Sequence, residues 1–182
     1  DAKALAQIHK ERNKMMPLPD VETVLAQLTR MGITVPAPTE GRVTVDGYGD
    51  SPELSESLLA LIRSGQKRAG TSLLWTIEAE NDTVPQVGDI ALVVNHLNQP
   101  ALICRNMQVD IVPYNQVTAQ YAAIEGEGDG SLAYWREAHW DFFTRECQRI
   151  GREPVETMPV VCTVFELLTV VRDCERLSNA TL

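Results

Sequence analysis

Apolar residues recur at helical spacing in several stretches of the chain and at strand spacing in others. Residues 2–14 carry Ala4, Leu5 and Ile8 among polar neighbours and predict a short amphipathic helix that ends before "MMPLP". Val21, Val24, Leu25 and Leu28 mark one face of a second helix, with Asp20 as its N-cap and Gly32 as its stop. A Pro- and Gly-rich run, "ITVPAPTEGRVTVDGYGDSP", then reads as a linker. Ser51 and Pro52 open a third helix whose Leu54, Leu58, Leu61 and Ile62 repeat at i, i+4, i+7 and i+8, and Gly65 closes it. "TSLLWTIEA" and "IALVV" read as strands, with "VGD" as the tight turn before the second. "ALICRNMQVDIV" is a long strand or a bent pair, a helix follows near residues 116–124, and "EGEGDGS" is a loop. Residues 132–150 form the longest helix, with Trp135, His139, Phe142 and Ile150 along one side, and "MPVVCTVFELLTVV" gives the last strand. Short turns between strands make neighbours antiparallel, so the pattern predicts an α+β fold, a small mixed β-barrel decorated with helices. Residues 1–45 are expected to be a helical arm and linker, 46–170 the main domain, and 171–182 a loose tail.

Composition narrows the classes. Hydrophobic residues at 44% and charged ones at 23% of 182 are ordinary for a folded domain. No run approaches the roughly 18 apolar residues of a membrane span, and the first residues lack the apolar stretch of a signal peptide, so a soluble cytoplasmic protein is expected. Cys104, Cys147, Cys162 and Cys174 are widely spaced and read as small apolar residues. The net charge of −9 is unevenly placed: residues 1–48 hold six basic and six acidic side chains, and residues 49–182 hold ten and nineteen. Such a domain repels a long polyanion, so any nucleic-acid role must be confined to a local pocket. There is no GxGxxG, P-loop, HExxH or GxSxG motif, which disfavours the corresponding dinucleotide, NTPase, zinc-protease and hydrolase readings.

Against that charge, "SGQKRAGTSLLW" stands out. Arg63, Lys67 and Arg68 crowd a glycine-flanked turn that runs into Thr71 and Ser72. A lysine there can steady a phosphate or an oxyanion, or serve as base to a hydroxyl nucleophile. The competing reading is a solvated cap at a helix C-terminus. In "EGEGDGS", Glu125, Glu127 and Asp129 alternate with glycines and offer a general base or ligands for a divalent metal, Mg or Mn, although the EF-hand order is missing. Trp135, His139 and Phe142 read as core packing, whereas Trp140 points off that stripe and is expected to border a cleft.

Taken together, "GDSPELSESLLALIRSGQKRAGTSLLW", "VGD", "AIEGEGDGSLAYWREAHWDFF" and "MPVVCTVFELL" resemble the ASCH domain family, relatives of the PUA RNA-binding fold, over residues 48–168. The resemblance implies a PUA-like barrel with a cleft, an RNA- or nucleotide-related role and a G-x-K-x-x-T motif. Gly65 and Lys67 match that motif, Gly70 stands where the family has threonine, and Thr71 follows one position later. Glu125 matches the acidic partner of the lysine. On this resemblance the catalytic residues are Lys67 and Glu125, with Thr71, or Ser72 if the turn shifts, in place of the family threonine. Arg63, Arg68, Ser72, Trp75 and Trp140 would contact RNA or nucleotide, and Glu125 with Glu127 would hold any metal. The leading expectation is a protein that binds single-stranded RNA or nucleotides in a cleft between the Lys/Arg turn and the acidic loop, with RNA cleavage as its candidate activity. The alternatives are an amide hydrolase acting on an acylated cytidine-type nucleoside and a non-catalytic RNA-binding module. A homodimer through the N-terminal arm is a further expectation.

Overall fold

The structure is a computed structural model and describes residues 17–172. The helix expected at residues 2–14, the tail beyond Arg172 and Cys174 lie outside the described residues. Helix α1, Val21–Arg30, starts where Asp20 accepts a hydrogen bond from the Thr23 amide at 2.7 Å. Helix α2, Pro52–Arg63, starts at Ser51, whose hydroxyl accepts from the Leu54 amide. In both, a short polar side chain satisfies an amide that the helix leaves without a partner.

Five strands form one mixed sheet: β1 Val43–Gly47, β2 Ala69–Leu73, β3 Ile90–Val94, β4 Pro100–Pro113 and β5 Pro159–Val170, in the order β1-β3-β4-β5-β2. Only β1 and β3 run parallel; the other pairs are antiparallel. The sheet curls into a half-barrel of PUA-like α+β type. Register irregularities in β4, one between Asn106 and Gln108, help to bend it. Helix α3, Leu74–Ala79, follows β2 directly; α4, Ala119–Glu125, and the long α5, Leu132–Arg149, lie between β4 and β5 in sequence.

Two expectations are corrected here. The segment read as a linker contributes β1, because Val43 to Gly47 pair residue by residue with Ile90 to Val94. That partner is 47 residues away, and nothing local in a Pro- and Gly-rich run announces it. "TSLLWTIEA" is a strand only to Leu73, after which the chain turns helical.

The core has three parts. On one face of β3 and β4, Ile90, Leu92, Val94 and Ile103 pack against Val24 and Leu28 of α1. On the other, Ala91, Val93, Leu102 and Cys104 meet Leu59 and Ile62 of α2. β3 is therefore buried on both faces, which explains its unbroken apolar run. The third part lies over β2 and β5, where Trp135, Phe143 and Cys147 of α5 meet Leu73, Val160 and Cys162. The α5 stripe continues through Phe143 and Cys147 rather than Phe142 and Ile150, since residues four apart share a face. Cys104, Cys147 and Cys162 are free and buried, as expected of small apolar residues. Among the described residues, no helix is long and apolar enough to cross a membrane.

Candidate functional site

Lys67 and Glu125 are 58 residues apart in sequence, and two pressed loops bring them together. α2 ends at Ser64, Gly65 takes a left-handed conformation (φ +79°), and the Gln66 and Lys67 amides both donate back to the Leu61 carbonyl at 3.0 Å. The next segment fastens to the end of α4: the Arg68 amide donates to Ile124 O at 3.0 Å, and Gln66 Nε2 donates to Gly126 O at 2.9 Å. Gly126 is left-handed (φ +69°), and a Cβ there would fall 2.2 Å from the Gln66 carbonyl oxygen. Only glycine allows this approach.

The result is a buried ion cluster. Lys67 is 1% exposed; its Nζ lies 3.2 Å from Glu125 Oε1 and 2.6 Å from Glu127 Oε1. Glu125 is equally buried, at 1%, and is surrounded by donors. Thr71 Oγ1 donates to its Oε2 at 2.8 Å, Trp135 Nε1 donates to the same oxygen at 2.6 Å, and His139 Nε2 stands 3.5 Å from Oε1. Burial pushes the Glu125 carboxyl up, but the Lys67 charge, His139 and the Trp135 N–H together outweigh it and hold the group well below the usual carboxylate range. Lys67 is therefore not a solvated helix cap.

Tyr121 adds a further hydroxyl, 3.2 Å from Thr71 Oγ1, and donates to Gly70 O at 2.8 Å. Burial and the Glu125 charge raise its pKa, so it stays a protonated donor. Tyr48 lies on the other side of Lys67, with Nζ 5.4 Å from its ring centroid. A Cβ at Gly70 would meet that ring at 3.2 Å. The tyrosine thus occupies the space a larger residue at position 70 would take.

Of these groups, Tyr48, Lys67, Thr71, Glu125, Glu127 and His139 line a cleft of about 460 Å³ that also runs past Asp46, Asn106 and Thr163. Of the residues expected from sequence, Lys67, Thr71, Ser72, Glu125 and Glu127 line it. Arg63 and Arg68 are exposed, and neither lines the cleft. Trp75 packs on the core, with the Arg152 guanidinium 4.6 Å from its ring centroid. Trp140 borders the core and not the cleft, its ring 5.4 Å from that of Tyr114. Asp129 caps the Ser131 amide at 2.8 Å. The sequence reading missed Tyr48, Asp46, Asn106 and Tyr121, and took Trp135 and His139 for packing alone. Both do pack, their rings stacked at 4.2 Å, while their nitrogens face Glu125.

Magnesium and manganese need several oxygen ligands. Among the described residues, no group of three or more His, Cys, Asp or Glu is placed to hold a metal ion. Glu125 and Glu127 are bridged by the Lys67 ammonium, the charge a metal would have to replace. The residues present do not fit a divalent metal.

The ASCH domain family matches residues 44–169. The structure of an ASCH domain from Lactobacillus crispatus JV V101 is similar at 34% identity and a TM-score of 0.67, over 80% of this chain and 92% of that one. Protein EF3133 from Enterococcus faecalis V583 is similar at 26% identity and a TM-score of 0.68, over 90% and 98%. No curated protein matches the chain.

Proposed function

Because the chain belongs to the ASCH domain family, we propose that its cleft is the active site of an amide hydrolase for a small acylated nucleoside, with Thr71 as nucleophile. The observation that carries the reading is the hydrogen bond from Thr71 Oγ1 to Glu125 Oε2 at 2.8 Å, beside a buried lysine. A hydroxyl attacks well when a fixed acceptor takes its proton and a fixed cation meets the charge that develops.

In this reading Thr71 Oγ1 bonds to the acyl carbon as its proton passes to Glu125 Oε2. The carboxylate is a weak base at rest, and it can accept the proton because the threonine oxygen becomes strongly acidic as the new C–O bond forms. Lys67 has three N–H donors, of which two are held by Glu125 and Glu127, leaving one for the carbonyl oxygen as it gains charge. The proton then moves from Glu125 to the leaving nitrogen, the C–N bond breaks, and water hydrolyses the threonyl ester to release the carboxylic acid. The one-position offset of the hydroxyl, Thr71 after Gly70, does not separate it from the acid.

Charge favours this substrate over single-stranded RNA. Of the cations lining the cleft, Lys67 is engaged by two carboxylates and Arg145 by Asp50 at 2.7 Å. The exposed Arg63 and Arg68 do not converge on it, so a phosphate backbone lacks a cationic track.

The test is release of cytidine from an N-acetylated cytidine, run beside cleavage of labelled single-stranded RNA with and without Mg or Mn. Thr71→Val keeps the shape and removes the hydroxyl; turnover should fall by at least about a thousandfold with the fold intact. Turnover that survives Thr71→Val, or a parent protein that cuts RNA and leaves the acylated nucleoside alone, would overturn the proposal.

A further inference from the structure

The hydrolytic cluster uses one end of the cleft. The other end holds two polar side chains with no part in that chemistry. Pairing of β1 with β3 and of β3 with β4 sets Thr44 beside Ala91 and Cys104, and Asp46 beside Val93 and Leu102. Alternation along each strand then puts Asp46, Ala91, Cys104 and Asn106 on one face of the curved sheet. Asn106 is 6% exposed. Its backbone is fully used, the amide donating to Asp89 O at 3.0 Å and the carbonyl accepting from the Gly88 amide at 2.8 Å. Its side-chain amide has no hydrogen-bond partner among the described residues and opens on the cleft.

The residue as a whole is buried while its amide atoms stay open to the cleft, so they are held in a fixed orientation and remain free to pair with what arrives there. An open amide facing a cavity is set to meet something that enters it. Thr163 lies two residues from Phe165, the partner of Asn106 on β5, so its hydroxyl shares this face and the same cleft. Asp46 is accessible from the cleft and makes no ion pair among the described residues. Neither does Asp82 nearby, whose carboxylate accepts only from the next backbone amide, at 2.7 Å. The nearby cation, Arg42, faces Asp89 at 3.8 Å and donates to Thr83 O at 2.8 Å, so with Asp46, Asp82 and Asp89 around it this end of the cleft carries a net negative charge.

We propose that Asn106 and Asp46 are specificity-determining residues that grip the part of the substrate that is not cleaved. Asn106 pairs through its amide with the edge of a planar, uncharged ring bearing carbonyl or ring-nitrogen acceptors. Asp46 accepts from a hydroxyl or amino donor and turns away ligands with negative charge at that end. The ring enters past Tyr48, whose ring centroid lies 5.4 Å from Lys67 Nζ and 6.1 Å from that of the tilted Phe165 ring. The inference rests on the cleft being the substrate site proposed above, and it adds a prediction that site alone does not make: a nucleoside binds, and its phosphate ester binds far less well.

The experiment titrates cytidine and cytidine 5′-monophosphate into the full protein by calorimetry, and measures kcat and KM for the N-acetylated cytidine. The parent should bind cytidine at least about tenfold more tightly than the monophosphate. Asn106→Ala should raise both KM and the Kd for cytidine about fivefold to tenfold while kcat falls no more than about twofold. Asp46→Asn should narrow the gap between cytidine and its monophosphate, and as a change at an accessible carboxylate it does not depend on Asn106→Ala folding well. If the acetylated nucleoside is not hydrolysed but cytidine binds and both variants weaken its discrimination, the subsite stands and the hydrolase reading falls. If hydrolysis proceeds with KM unchanged in both variants, or if the monophosphate binds the parent as tightly as cytidine, the subsite is overturned and the hydrolase reading stands.

Discussion

Replacing Lys67 with methionine keeps the length of the side chain and removes its charge. In the parent, the ammonium is 1% exposed and sits against Glu125, itself 1% exposed, and Glu127. Taking away one partner of a buried ion pair strands the other, at a cost of about 3–5 kcal/mol. For a chain of this size that is a fall in Tm of about 6–20 °C. The loss also carries a pH signature with a definite sign. In the parent, the Glu125 pKa is depressed, so its contribution to stability is present above the unfolded value of 4.5 and lost as pH falls below it. Without Lys67 the largest remaining influence is burial, which raises the Glu125 pKa, so the variant is penalised at high pH and relieved as the carboxyl protonates. Melting curves of parent and Lys67→Met from pH 8 to pH 5 should therefore start far apart and converge. A variant within about 2 °C of the parent at pH 8, or a gap constant with pH, would refute the description of Lys67 and Glu125 as a mutually dependent buried pair.

Three other perturbations follow from the geometry. Gly126→Ala forces a Cβ to 2.2 Å from the Gln66 carbonyl in a left-handed residue, and should destabilise by about 1–3 kcal/mol and lower turnover together, read by melting and kinetics. Asp46 is open to solvent on the cleft side, while desolvation by the walls behind it, then Asp82 and Asp89, raise its pKa to about 6 against the pull of Arg42 and Thr44; its ionisation therefore opposes folding as pH rises from 3.8 through 6, weakened by solvent screening, and Asp46→Asn should raise Tm slightly at pH 8 but not at pH 4. A chain beginning at residue 42 loses the Val24 and Leu28 contacts that cover Ile90, Leu92 and Ile103, and should be less stable by about 3–6 kcal/mol in urea unfolding, whereas an arm dispensable to the core would leave the midpoint unchanged.

Features that local chemistry determines are legible in the residues themselves. Asp20 and Ser51–Pro52 announce their helices because a cap acts within four residues, and the apolar run of β3 announces a strand buried on both faces. Strand β1 was hidden because its reason for being extended lies 47 residues ahead, in pairing to Ile90 through Val94. Helix α3 was hidden because no side chain caps it and "LLW" suits either state. For the site, Lys67 and Glu125 were visible through the family motif, and the structure adds that they touch. Trp135 and His139 read as packing because a stripe on a helix cannot reveal what its polar tips face. Tyr48 lay unnoticed between Gly47 and Gly49 in a supposed linker, and nothing in a long apolar strand marks the Asn106 amide as open to a cleft.

Glu127 gives the site one more property. Its carboxylate makes the shortest contact to Lys67, at 2.6 Å, yet it is 19% exposed and stands between two left-handed glycines, Gly126 and Gly128. It is a tethered counter-charge beside the one Lys67 N–H that neither carboxylate holds. Glu125 is locked in place by Lys67, Thr71 and Trp135, so the two carboxylates split the neutralisation of Lys67 into a fixed share and a releasable one. Release of the movable share frees a second N–H and strengthens the cation's pull on a neighbouring oxygen while the buried pair stays whole.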